Sequence, residues 1–262
     1  MQLAHRAALN GVQLDEIDPR IIIKGIEGGA GKDSVSTANL GSGDGTRITN
    51  KRRDSIEVAV RFSMNIRRDT LSERAAVLEA INAWAAKGGW LTISYKPDRQ
   101  LLVDEVVTPG EGDLWKRLSE YTITFKAHAV PYWQQETAAA GSTGTAMSGS
   151  GTMTVEGSAK TVADAVLQNM SGAVISTASI AIGGNVMTFN DLNLGNGQSL
   201  TIDHAIVKGK NVIRIRIGNT SVMARRSEGS ADEFEVAPGA IGFSFSAQRA
   251  CRLSVSCRGR FV

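Results

Sequence analysis

Any chemistry in this chain has to come from three histidines, two cysteines and one glycine-rich turn. His5, His128 and His204 stand far apart, with no HExxH or His-x-His pattern and no cysteine pair beside them. A zinc site needs three or four ligands at workable spacing. His128 falls on the polar face of an alternating segment, where a solvated imidazole is expected, and Asp203-His204 is a lone pair at a strand end. The run Gly28-Gly29-Ala30-Gly31-Lys32-Asp33 is similar to a phosphate loop. It fails at both ends: Ile26 occupies the first required glycine position, and Asp33 replaces the hydroxyl residue that ligates magnesium. A carboxylate there repels phosphate, so the segment reads as a surface loop. No Gly-x-Ser-x-Gly elbow is present. The sequence thus predicts no catalytic, cofactor-binding or metal site, and a protein that is not an enzyme.

Cys251 and Cys257 lie in a segment that alternates over 250–258. Cys251, Leu253, Val255 and Cys257 share one face, and Arg252, Ser254, Ser256 and Arg258 the other. Six steps along a strand cover about 20 Å, whereas a disulfide needs Cα atoms within about 7 Å. The two thiols therefore cannot bridge on one strand and are expected as small buried apolar groups. Arg214 and Arg216 share a strand face, as do Arg252, Arg258 and Arg260 near the C-terminus. Adjacent strands would make these a basic patch; a plain solvated sheet face is the simpler expectation.

These residues must be carried by a chain of 262 residues, 42% hydrophobic and 21% charged, which is ordinary for globular domains. Its 28 glycines exceed the usual ~7% share while prolines number only 5, a pattern of many turns between short strands. The net charge of +3 does not advertise nucleic-acid binding, and no sequence-specific nucleic-acid partner is expected. No apolar run approaches the ~18 residues of a membrane span, so no membrane insertion is expected. The first ten residues lack a secretory h-region, which predicts synthesis and assembly in the cytoplasm.

Along the chain, residues 134–150 are the clearest break: 13 of the 17 are Ala, Gly, Ser or Thr, and the segment reads as a flexible linker. Before it, in residues 1–133, Asn10-Gly11 signals a hairpin turn. Residues 21–26 read as a strand, 28–45 as irregular, and 55–66 as a half-buried strand with Ile56, Val58, Val60, Phe62, Met64 and Ile66 inward. Thr70-Leu71-Ser72-Glu73 forms a capping box for a helix that buries Val77, Leu78, Ile81, Trp84 and Ala85 and ends at Gly88-Gly89. Strands follow at 90–95, 101–107 and 118–129. Residues 151–262 read as all-β, with strands at 152–155, 174–182, 186–189, 199–203, 212–217, 222–225, 234–236, 241–247 and 251–256. All four tryptophans (Trp84, Trp90, Trp115, Trp133) and all three tyrosines (Tyr95, Tyr121, Tyr132) precede the linker. A sugar-binding second domain is expected to show such side chains.

The order of elements resembles the distal tail protein (Dit) of long-tailed, non-contractile bacteriophages. The resemblance rests on Asp54-Ser55-Ile56-Glu57-Val58 through 70–86 to Trp90-Leu91-Thr92-Ile93; on Tyr121-Thr122-Ile123-Thr124-Phe125 leading to Pro131-Tyr132; and on Leu200-Thr201-Ile202-Asp203 with Pro238-Gly239 before a terminal strand pair ending Arg258-Gly259-Arg260-Phe261. Val130 precedes Pro131, where family members often carry Asp. The resemblance implies a mainly β fold: an N-terminal β-sheet domain with one flanking α-helix, and a C-terminal galectin-like β-sandwich. It implies a homo-hexameric ring at the virion tail tip, joining the tail tube protein to the tail-tip hub protein and to a receptor-binding protein. The alternative is a carbohydrate- or receptor-binding module acting through the sandwich.

Overall fold

The computed structural model describes residues 5–39, 46–64, 71–110, 120–207 and 210–262. The fold is mainly β, and the chain divides into two compact units, Met1–Trp133 with Val262, and Gln134–Phe261.

In the first unit, β1 (Ala7–Leu9) and β2 (Val12–Gln13) form a hairpin. Asn10 and Gly11 turn it at φ +52° and +83°, the pair of positive angles that a type I′ turn requires. A single helical turn, α1 (Leu14–Ile17), leads to β3 (Ile21–Gly28), β4 (Asp33–Asn39), β5 (Thr46–Arg53) and β6 (Ile56–Met64). Then come α2 (Leu71–Ala85), β7 (Gly89–Ile93), β8 (Arg99–Val103), β9 (Glu105–Val107) and β10 (Tyr121–Ala127). One antiparallel sheet contains the run β2-β1-β7-β8, and another has the order β3-β6-β10-β9.

Alternation decides which faces are covered. β6 buries Ile56, Val58, Val60, Phe62 and Met64, and β10 buries Tyr121, Ile123, Phe125 and Ala127. α2 buries the expected face, Val77, Leu78, Ile81, Trp84 and Ala85. The Trp84 ring meets Phe125 edge-on at 5.9 Å, and its Nε1–H donates to the Val12 carbonyl at 3.3 Å, so one side chain ties the helix to both sheets. Asn10 seals the chain after the helix: its Nδ2 donates to the Gly88 carbonyl at 2.7 Å, and its Oδ1 accepts from the Trp90 N–H at 2.9 Å. Ile66, the Thr70 N-cap and Trp115 lie outside the described residues. The segment 28–45, expected to be irregular, instead holds β4, which among the described residues pairs with β5 alone in a two-stranded ribbon.

β11 (Trp133–Gln135) carries the chain across the boundary. The second unit contains β12 (Ala139–Ser142), β13 (Ala146–Val155), β14 (Thr161–Asn169), β15 (Ala178–Ile182), β16 (Asn185–Phe189) and β17 (Ser199–Val207). It continues with β18 (Lys210–Ile217), β19 (Thr220–Ser221), β20 (Glu235–Val236), β21 (Gly239–Cys257) and β22 (Arg260–Phe261). β21 organises the unit. Its first half pairs with β13 and β15, and its second half with β12 and β14. The inward residues of both halves join one apolar cluster that includes Phe243, Phe245, Leu253, Ile180, Phe189, Leu167 and Ile202. Two layers linked by a strand that passes from one to the other make a β-sandwich.

Residues 134–150 are therefore not a flexible linker. Ala139–Ser142 and the start of β13 are strands hydrogen-bonded to β21. Their glycines are there for space: a β-carbon at Gly149 would press on Phe245 and Thr143, and one at Gly151 would enter the Phe243 ring. The expected strands at 241–247 and 251–256 are one continuous strand. Met223–Arg225 is a 3-10 turn rather than part of a strand.

Two outcomes are expected. Trp84→Ala lowers folding stability by about 3–5 kcal/mol in denaturant titration; an unchanged midpoint would show that the helix face is misassigned. In hydrogen exchange, the β13 amides bonded to β21 are as protected as those of β14, whereas a linker would exchange at once.

Candidate functional site

The root of the β4–β5 ribbon is the most constrained place in the first unit. The β3–β6 ladder runs to the pair Gly28–Val58, and the ribbon ladder begins at Asp33–Arg53. Between them, Gly28 and Gly29 adopt φ +86° and +79°. A β-carbon at Gly28 would collide with the Glu57 carbonyl oxygen, so the left-handed turn needs glycine for space as well as angle. The Gly29 N–H donates to that carbonyl at 2.7 Å, and the Asp54 N–H to the Lys32 carbonyl at 2.8 Å.

Aromatic side chains close over this turn. Trp133, fully buried, donates its Nε1–H to the Gly29 carbonyl at 2.7 Å, and the Tyr95 hydroxyl donates to the Gly28 carbonyl at 3.2 Å. The Arg53 guanidinium lies 5.4 Å from the Tyr132 ring centre and donates to the Pro131 carbonyl at 3.3 Å. Lys96 sits 5.2 Å from the Trp133 ring centre, and burial there holds its ammonium below the usual lysine range. The segment that resembled a phosphate loop has its carbonyls taken up in this way, and β4 rather than a helix follows it.

The outward face of the β3-β6-β10-β9 sheet carries paired charges. Arg61 bridges Glu27 at 2.6 Å and Glu120 at 3.3 Å. Glu105 accepts from Lys126 at 2.8 Å and lies 3.0 Å from His128 Nε2. The Lys126 and His128 hydrogen bonds hold the Glu105 carboxyl below its usual range.

The remaining sequence candidates do not converge. His5 is exposed, His128 is engaged by Glu105, and His204 is enclosed with Nδ1 2.9 Å from Asp164 and Nε2 3.7 Å from Glu233. Among the described residues, no group of three or more His, Cys, Asp or Glu side chains is arranged to hold a metal ion. Arg214 and Arg216 do not form a patch with the C-terminal arginines. Both bind the Asp203 carboxylate, at 2.7 and 2.9 Å, and β17 and β14 lie between their strand and β21. Cys251 and Cys257 are free and buried, and desolvation pushes both thiols up to about 11. A shallow groove of about 490 Å³ lies on the second unit, lined by Ser150, Thr152, Ala181, Gly184, Phe243 and Ser244, without a charged or indole side chain. No described helix is long and apolar enough to cross a membrane.

No family model and no curated protein matches the sequence. Solved structures do match its fold. The SPP1 Dit (gp 19.1) protein, described as a paradigm of the hub adsorption apparatus in phages infecting Gram-positive hosts, aligns with a TM-score of 0.66 at 13% identity, covering 98% of this chain and 99% of that one. A chain of the phage P2 baseplate in its activated conformation with Ca aligns at 0.53 and 6% identity over 99% and 100%. One from the p2 baseplate with Sr aligns at 0.52 and 8% over 97% of each. The fold is the one that SPP1 Dit and these baseplate chains share.

The cysteines supply a direct check. A thiol titrating near 11 stays protonated at pH 8, so a disulfide-exchange reagent should label neither residue in the folded protein and both after denaturation. Rapid labelling without denaturant would contradict the burial.

Proposed function

We propose that this chain is a structural subunit of a phage or prophage tail tip, forming a six-fold ring that joins the tail tube to the hub and host-recognition apparatus. The observation that supports the reading most is the fold likeness to SPP1 Dit, which extends over both units at nearly full length of both chains. The side chains agree in kind. His128 and His204 are engaged by carboxylates, while the glycine-bounded ribbon and the charged outer sheet face are surfaces rather than clefts. A head-to-tail contact that closes on itself produces such a ring.

Native mass spectrometry and light scattering of the purified full chain test this. A closed six-membered species is expected, alone or after tail-tube and hub proteins are added. Monomers that persist in the presence of both would refute the ring.

A further inference from the structure

We propose that the free edge of β13 pairs antiparallel with β13 of a second copy, so that two second units share one continuous sheet.

One layer of the sandwich has the order β13, first half of β21, β15, β16, which makes β13 and β16 its edges. An edge strand presents a row of unpaired N–H and C=O groups, and proteins protect such rows with short strands, charged side chains, proline or a covering segment. β16 is covered: the Ser227 and Ala231 N–H groups donate to the Thr188 and Val186 carbonyls, both at 2.8 Å. In the other layer, β12 is only four residues long. β18, paired on its outer side by the two residues of β19, carries Lys210, Arg214 and Arg216. β13 has none of these protections. Residues 148–155 run without a bulge opposite 246–239, about 27 Å of strand with no charged residue and no proline. Among the described residues, the backbone of 148–155 hydrogen-bonds to β21 and to nothing else. Such an edge accepts a further strand through its main chain.

The side chains select the occupant. Ser148, Ser150, Thr152 and Thr154 are exposed on the outward face, and beside them on that face lie Ser246, Ser244, Gly242 and Ala240 of β21, then Ser179 and Ala181 of β15. Nothing bulky or charged stands next to the edge. Every other described strand of seven or more residues contains at least one Asp, Glu, Lys or Arg, whereas β13 contains none. A second β13 is thus the strand of this chain that sets hydroxyls against hydroxyls with no charge of either sign, and Ser and Thr on facing strands hydrogen-bond each other.

Cross-strand partners share a face, so outward residues must meet outward residues. A two-fold axis through Gly151 is the register that uses all four: Ser150 stands opposite Thr152 of the second copy, and Ser148 opposite its Thr154. The contact is isologous, so it joins copies in pairs and cannot propagate round a ring. It is separate from the head-to-tail contact of the ring and links chains of different rings, or chains outside any ring.

The test uses the full chain at rising concentration in sedimentation velocity. Wild type should reach a paired species, of two copies or of two rings. Ser150→Glu with Thr152→Glu places like charges on the facing strands and should weaken pairing at least about tenfold, halving the mass of that species. Ser150→Lys with Thr152→Lys should do the same, and a mixture of the two variants should recover it. Circular dichroism confirms that each variant is folded. An oxidised mixture of Ser150→Cys and Thr152→Cys chains should form intermolecular disulfides, because facing Cα atoms of an antiparallel pair lie within the ~7 Å reach of that bond. In hydrogen exchange, the β13 amides that β21 leaves unbonded should gain protection with concentration. A paired species that Ser150→Glu with Thr152→Glu leaves unchanged would overturn the contact. A wild type that never pairs would overturn it too, and a six-membered species in that experiment would leave the ring standing. Pairs that form without any ring would support this contact alone. Protection of those amides only after tail-tube or hub protein is added would assign the edge to a partner's strand and overturn the self-pairing.

Discussion

At Gly28 the backbone passes so close to the Glu57 carbonyl that a β-carbon cannot fit, and the arrangement of the first unit follows from that close approach. The Glu57 carbonyl stays satisfied because the chain turns left-handed and offers it the Gly29 N–H. The turn in turn exposes the carbonyls of Gly28 and Gly29, which would be costly to bury unpaired. Tyr95 and Trp133 supply the missing donors. This exchange of partners lets one hairpin serve two purposes: as β3–β6 it belongs to a sheet with a buried face, and as β4–β5 it leaves that sheet altogether. The concentration of Trp and Tyr in the first unit is partly explained here, since a buried aromatic with a polar tip can cover a backbone turn and hydrogen-bond it at once.

Charges are handled in a consistent way throughout the molecule. Arg61, Lys126, Arg214 and Arg216 each face a carboxylate across or along a sheet. Such exposed pairs contribute little stability individually. Their effect is on surface character: the outward sheet face of the first unit carries both signs, while the ribbon keeps a basic excess. Electrostatic patterns of this kind govern which surfaces meet and how fast more than how tightly they hold.

Much of this was legible in the sequence wherever one face of an element is buried and the other is wet. β6 and β10 show clean alternation, α2 shows helical spacing, and Asn10-Gly11 announces its turn. The failures share a physical cause. β14 lies at the centre of a sheet, but its inward residues are Thr161, Ala163, Ala165, Leu167 and Asn169, too small and polar to stand out. β13 looks like a linker because its inward positions include Gly149 and Gly151, emptied to admit Phe245 and Phe243 from the neighbouring strand. That spacing is a property of the partner's side chains, not of the segment. Among the described side chains β4 and β5 have no buried face, so no periodicity could reveal them. The ribbon root was hidden for a related reason: Gly28, Tyr95 and Trp133 are more than 100 residues apart at the extremes, and only the pairing register brings them together. The outer-face ion pairs depend on the same register.

The long strand β21 has a consequence for synthesis. The hairpins β15–β16 and β17–β18 can close as soon as they leave the ribosome, because their partners are adjacent in the chain. β12 and β13 cannot, since their partner is β21, roughly a hundred residues downstream. Until β21 has been made, the second unit exists as separate hairpins around an empty central lane. A chain that stops before Gly239 lacks the strand that both layers share. Synthesis of β21 is therefore the step that closes the second unit, and any product that stops before it is left with open strand edges.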